Sequence, residues 1–160
     1  MSLEEEVVSL LKEKKLTMTT AESCTGGLVA ATLINVAGVS QFLKEAYITY
    51  SDEAKIKLLH VAPSVIDTYT VVSSETAEAM ALGGAIAAGT DLCLSVTGIA
   101  GPDGGTKEQP VGLVYIGCSL KGQVKTKRFV FTGDRMQVRL AAVEEALKLI
   151  IEMIKNEDKT

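Results

Sequence analysis

The run Leu92-Cys93-Leu94-Ser95-Val96-Thr97, which passes directly into Gly98-Ile99-Ala100-Gly101-Pro102-Asp103-Gly104-Gly105, constrains the fold of this chain more than any other segment. Near-continuous apolarity over a length this short is the pattern of a strand covered on both faces, because a strand with one wet face alternates. Such a strand needs helices above and below it. The segment that follows holds too many glycines for regular structure and is expected to be a loop at the strand's end.

The flanking sequence supplies those helices. Ser2-Leu3-Glu4-Glu5 has the form of a capping box, and Leu3, Val7, Leu10 and Leu11 share one face of a first helix that runs to about Lys15. Leu16 to Ala21 alternates apolar residues with threonine and predicts a strand. The turn Glu22-Ser23-Cys24-Thr25-Gly26-Gly27 and a second helix from about Leu28 to Asn35 come next. A loop around Gly38 leads to a strand near Ala46 to Tyr50, and Ser51 has the form of the N-cap of a helix that ends before Pro63. Ser73 or Ser74 caps a long helix through Ala88, whose small residues Ala77, Ala81, Gly84, Ala85 and Ala88 permit close packing on a sheet, with Gly89 as its stop. Val111 to Leu120 and Val124 to Phe131 predict a hairpin turning at Lys121-Gly122. Gly133-Asp134 opens a last helix with Leu140, Val143, Leu147, Ile150 and Ile154 on one face, and Lys155 to Thr160 are expected to fray. Helices alternating with strands, plus one hairpin, predict an α/β fold: a three-layer α/β/α sandwich with a mixed β-sheet, forming a single domain over residues 1–160.

Composition narrows the function. With 160 residues, 47% hydrophobic and 22% charged, the chain has ordinary globular content. A net charge of -4 and 4% aromatic residues leave neither the electrostatic footprint nor the stacking platform that DNA or RNA binding requires. Apolar stretches such as Ala79 to Ala88 fall well short of the ~20 residues that span a bilayer. The acidic start Met-Ser-Leu-Glu-Glu-Glu does not resemble a signal peptide, so a cytoplasmic location is expected, with no membrane partner. Cys24, Cys93 and Cys118 are odd in number and form no CxxC pair, which predicts free thiols rather than a disulfide frame or a zinc site. His60 is the only histidine, so no histidine metal cluster can form.

Four segments could carry chemistry. Ser23 sits at a strand-to-helix junction, where a hydroxyl can point outward and helix amides can stabilise an oxyanion; it could equally be a simple helix cap. Tyr50-Ser51-Asp52-Glu53-Ala54-Lys55 offers a base for that serine, since His60 falls at a helix end and suits a capping role. To act near neutrality a lysine must lose roughly three units from its free pKa of about 10.4, a bias of about 4 kcal/mol that burial can supply. Otherwise Lys55 belongs to a solvated helix face or an exposed pair with Asp52, three residues before it. The loop from Thr97 to Thr106, with Gly98, Gly101, Gly104 and Gly105, can bring backbone amides close to an anion or a ribose, or be a long turn with no ligand. It lacks both the GKS/GKT of a P-loop and the GxGxxG spacing of dinucleotide folds. Arg135 and Arg139 share a face in the first turns of the last helix, where the dipole disfavours cations by ~0.3–1 kcal/mol. A bound phosphate would offset that cost, as would salt bridges to Asp134, Glu144 or another subunit.

Together, Ala21-Glu22-Ser23-Cys24-Thr25-Gly26-Gly27, Tyr50-Ser51-Asp52-Glu53-Ala54-Lys55, Thr97 to Thr106, Pro110-Val111-Gly112 and Gly133-Asp134-Arg135 resemble the C-terminal domain of the CinA family, over nearly the whole chain. That domain is nicotinamide mononucleotide amidohydrolase. The resemblance implies hydrolysis of nicotinamide mononucleotide to nicotinic acid mononucleotide and ammonia, a salvage step toward NAD, by a serine enzyme with neither metal nor cofactor. The matching catalytic positions are Ser23, Tyr50 and Lys55, with Lys55 taking the Ser23 proton directly or through the Tyr50 phenol. Cys24, Thr25, Gly26 and Gly27 would line the oxyanion side; Thr97, Gly98, Gly101, Gly104 and Gly105, or Arg135 and Arg139, would meet the nucleotide. The expected partner is thus a small-molecule nucleotide, and family habit implies a homo-oligomer, a dimer. Many relatives carry a further N-terminal molybdopterin-binding-like domain, which a chain this short is not expected to contain. Asp52, often asparagine in the family, and Thr70-Val71, often glycine and alanine, depart from the commoner pattern. Two other readings stay open: an amidase using Cys24 as nucleophile with Glu22 and Lys55, and a nucleotide-binding regulatory module without turnover.

Overall fold

The computed structural model describes residues 1–159. Six helices and five strands alternate along the chain: α1 (Leu3–Lys14), β1 (Met18–Glu22), α2 (Leu28–Ile34), β2 (Tyr47–Ile48), α3 (Asp52–Leu59), α4 (Pro63–Tyr69), α5 (Ser74–Ala88), β3 (Leu92–Gly98), β4 (Leu113–Leu120), β5 (Gln123–Val130) and α6 (Arg135–Glu157). A 3-10 turn at Val39–Gln41 lies between α2 and β2. The sheet runs β2-β1-β3-β4-β5, parallel among β2, β1 and β3 and antiparallel from β3 onward. It is a mixed sheet between two helical layers. None of the helices among the described residues is long and apolar enough to cross a membrane.

The two layers follow from strand alternation. Leu92, Leu94 and Val96 of β3 join Val114, Ile116 and Cys118 of β4 in a core shared with α1, α2 and α6. Cys93 faces the other way, toward Met80 of α5 and Leu59 of α3. Both faces of β3 are buried from Leu92 to Thr97, as its apolar run requires. On the α5 side the layers close through small residues and hydroxyls: Ser95 donates to the Ala77 carbonyl at 2.6 Å, Ser119 to that of Ala81 at 3.0 Å, and a Cβ on Gly84 would sit 2.6 Å from the Cys93 sulfur.

Capping sets the helix starts. Ser2 and Glu5 close the capping box of α1, Ser51 accepts the Ala54 amide, Ser73 accepts that of Thr76, and Asp134 pairs reciprocally with Gln137. Lys121 and Gly122 both take positive φ at the β4–β5 turn. Several expectations need correction. The helix α3 ends at Leu59 with His60 as its left-handed C-cap, and Pro63 occupies the first turn of α4, where its missing N–H costs nothing and no helix was expected. The strand expected over Ala46 to Tyr50 pairs only at Tyr47–Ile48. Leu140 is 53% exposed, and the buried stripe of α6 runs instead through Val138, Ala142, Val143, Ala146, Leu147, Ile150 and Ile154. That helix continues to Glu157, so the end expected to fray is helical through that residue; Thr160 lies outside the described residues.

The connection from β1 to β2 carries α2 on one face, and the connection from β2 to β3 carries α3, α4 and α5 on the other. In open α/β sheets a crevice forms at the strands' carboxyl ends where connections part in this way. Ser23, Tyr50 and the glycine-rich loop all follow carboxyl ends of β1, β2 and β3.

Candidate active site

Ser23 is the first residue past β1, and its amide continues the ladder by donating to the Val96 carbonyl at 3.0 Å. The turn then reverses through Gly26 and Gly27, whose φ values of 58° and 101° are in the left-handed region, and Gly27 caps α2 with no side-chain contribution. Side chains from elsewhere fix this turn. Arg139 of α6 donates from Nε to the Cys24 carbonyl at 2.9 Å and from Nη2 to the Thr25 carbonyl at 3.1 Å.

Lys55, on the first turns of α3, is 1% exposed. Its Nζ lies 3.0 Å from Ser23 Oγ and donates to the Thr49 carbonyl at 2.7 Å. Burial lowers its pKa below the usual lysine value, opposed by the negative charge of Asp52 three residues earlier. A lysine so placed is biased toward the neutral amine. With one amine hydrogen spent on Thr49, the lone pair can face the Ser23 hydroxyl.

Ser23, Cys24, Tyr50, Val71, Val72, Gly98, Ile99, Ala100, Gly101, Asp103, Gly104 and Arg135 line a cleft of about 310 Å³. Across its rim Arg135 donates to the Gly101 carbonyl at 2.6 Å and to the Tyr50 hydroxyl at 2.8 Å, tying α6, the glycine-rich loop and the β2–α3 link together. A larger hollow of about 470 Å³ between the β4–β5 turn and the end of α6 is lined by no serine, threonine or cysteine.

The sequence-predicted residues divide accordingly. Seven of them, Ser23, Cys24, Tyr50, Gly98, Gly101, Gly104 and Arg135, face the cleft, with Lys55 directly behind Ser23. Thr25, Gly26, Gly27, Thr97, Gly105 and Arg139 do not line it. Thr97 instead donates to the Val71 carbonyl at 2.8 Å, which holds the segment forming one wall. Two expectations change. The Tyr50 phenol does not stand between Lys55 and Ser23; it accepts from Arg135 while the amine reaches the serine directly. Arg135 and Arg139 do not pair with Asp134 or Glu144, since both guanidinium groups bond the carbonyls or phenol named above. Glu22 was missed as a support of the serine turn. A fully buried acid, it accepts the amides of Val29 and Ala30 at 2.9 and 3.1 Å, and an acid one residue before a serine turn was the only signal for it.

Fold and site together define a mixed-sheet α/β domain with a lysine-paired serine at the carboxyl edge of its parallel strands. The model of the CinA C-terminal domain matches residues 1–154, and the chain belongs to that family. A CinA-like protein of Dictyoglomus thermophilum is 51% identical over 149 residues, and another of Kosmotoga olearia is 52% identical over 149; each match covers 93% of this chain. The chain spans 36% of the length of these two relatives, about a third. Among solved structures, a competence-damaged protein (CinA) superfamily protein of Klebsiella pneumoniae superposes with a TM-score of 0.92 at 34% identity, covering 98% of this chain and 99% of that one. A competence/damage inducible protein of Agrobacterium tumefaciens gives 0.90 at 36% identity, covering 95% of this chain and 98% of that one.

Proposed function

We propose that this chain hydrolyses the carboxamide of nicotinamide mononucleotide to nicotinic acid mononucleotide and ammonia. The observation that carries the reading is the 3.0 Å contact between Ser23 Oγ and the buried amine of Lys55. Neutral Lys55 takes the Ser23 proton as Oγ attacks the carboxamide carbon; the tetrahedral intermediate collapses to an ester on Ser23 as ammonia leaves with the proton that Lys55 returns. Water activated by the same amine then cleaves the ester to the carboxylate.

The negative charge that develops on the carboxamide oxygen falls to the Cys24–Gly27 turn. Its Gly26 amide is already spent on the Ser23 carbonyl, and Cys24 is the residue of that turn that lines the cleft, so its amide is the one offered to the oxyanion. Arg135 and the glycine-rich loop are the groups in the cleft that can meet the 5′-phosphate, since Arg139 is turned onto loop carbonyls. The test is incubation of purified protein with nicotinamide mononucleotide, nicotinamide riboside and NAD, reading ammonia. The mononucleotide is expected to be the best substrate. Release that favours the riboside or NAD would overturn the assignment.

Cys24 is the alternative nucleophile, but burial pushes its thiol up to about 11, so the thiolate is scarce at neutral pH. Cys24→Ala is therefore expected to keep most of the activity, measured as kcat on the mononucleotide. Turnover lost in a folded variant would move the nucleophile to Cys24.

The basic form of Lys55 makes kcat/KM rise with pH through its pKa. Because the Asp52 carboxylate holds that pKa up against burial, Asp52→Asn is expected to move the acidic limb of the kcat/KM profile to lower pH. A limb that stays in place or moves to higher pH would show that Lys55 is not the titrating base.

A further inference from the structure

We propose that Glu22 is the positioning residue that holds both Ser23 and Lys55 in register, an inference that rests on the Ser23–Lys55 reading above. Glu22 is fully buried, and no cation pairs with it among the described residues. Its carboxylate is satisfied by hydrogen bonds alone. Oε1 accepts the Val29 amide at 2.9 Å, and Oε2 accepts the Ala30 amide at 3.1 Å and the Thr20 hydroxyl at 3.2 Å.

Those two amides belong to the first turn of α2, whose own N-cap, Gly27, has no side chain to offer. Glu22 thus caps α2 from the preceding strand, where the helix dipole favours a negative charge. The turn that carries Ser23 is consequently pinned at both ends by one residue: covalently at its start, and through the Glu22 carboxylate at the helix it enters. The main chain of Glu22 holds the other partner. Its carbonyl accepts the Thr49 amide at 2.8 Å, and the Thr49 carbonyl in turn accepts from Lys55 Nζ at 2.7 Å. Nucleophile and base are therefore referenced to the same residue. Arg139 completes the frame by taking the carbonyls of Cys24 and Thr25 from the α6 side.

Glu22→Gln keeps the shape but turns an amide NH2 against a backbone N–H that needs an acceptor, so α2 and the serine turn shift relative to Lys55. A misplacement of about 1 Å at a reacting pair costs on the order of a hundredfold in rate. The expected result is a kcat lower by roughly 30- to 100-fold with KM changed less than about threefold. Labelling of Ser23 by a fluorophosphonate, which needs no carboxamide substrate, should slow in the same proportion. Unchanged kcat and labelling rate in Glu22→Gln, or a loss confined to KM, would overturn the proposal. Thr20→Val removes only the third hydrogen bond; it is expected to lower kcat and labelling by a smaller factor, and it decides the matter if Glu22→Gln does not fold, no effect counting against the proposal. The labelling readout also separates the two claims. Wild-type protein that labels at Ser23 but releases no ammonia from the mononucleotide would end the substrate assignment while leaving the role of Glu22 open to the same comparison of labelling rates.

Discussion

Ser23→Ala and Lys55→Ala should each lower kcat on nicotinamide mononucleotide by on the order of a thousandfold, and the double variant should be little worse than either. The reason is geometric. Lys55 Nζ is 3.0 Å from Ser23 Oγ and 1% exposed, so the amine acts only on what reacts at Ser23 Oγ. Once the serine is gone the amine has nothing to activate, and once the amine is gone the serine keeps its proton. Lys55→Arg should be as inactive as Lys55→Ala, although it keeps a long basic side chain, because a guanidinium keeps its proton at any pH where the fold survives. Steady-state kinetics of the four variants check this. Single losses that multiply in the double variant would show two independent functions instead of one unit.

The second large effect is expected at a residue that does not line the cleft. Gly83 lies on α5 where α3 ends against it, and a Cβ there would overlap the Leu59 carbonyl oxygen and approach its carbon to 3.0 Å. In an isolated helix Gly→Ala would gain up to about 1 kcal/mol. Here the obstacle is backbone, which has no rotamer to change, and overpacking costs roughly 1–3 kcal/mol, so the loss wins. Gly83→Ala should lower Tm by several degrees, and because α3 carries Lys55 the shift that relieves the overlap should also reduce kcat. An unchanged or raised Tm would mean that α3 and α5 are less tightly joined than their contact indicates.

What the sequence made legible was whatever depends on neighbours along the chain. The caps at Ser2, Ser51 and Asp134, the β4–β5 turn at Lys121-Gly122, and the doubly covered β3 are local signals, and each is in place. The three-layer arrangement followed from their order. The misses have physical causes. Pro63 suits the first turn of a helix as well as a helix stop, both through its missing N–H; α3 in fact ends at Leu59 with His60 as its left-handed C-cap, and Pro63 starts α4. Leu140 fits the α6 periodicity, but that helix buries a stripe rotated toward Val138 and Ala142 where α1 and the sheet meet it.

In the candidate site, residue types were readable and distances were not. Ser23 and Lys55 could be paired as nucleophile and base, yet only the placement of α3 behind β1 shows that the contact is direct and that Tyr50 serves Arg135 instead. Arg139 shows the limit from the other side. Two cations at a helix start suggested an anion, whereas the fold brings the Cys24 and Thr25 carbonyls to one of them. Such partners lie over a hundred positions away in the chain, beyond any pattern of neighbours.

The most direct test of the account is ammonia release from nicotinamide mononucleotide by wild-type protein and by Ser23→Ala, side by side under identical conditions. The account predicts ammonia and nicotinic acid mononucleotide in equal amounts from the wild type and neither above background from Ser23→Ala. No ammonia from the folded wild type, or equal release by the two proteins, would contradict it.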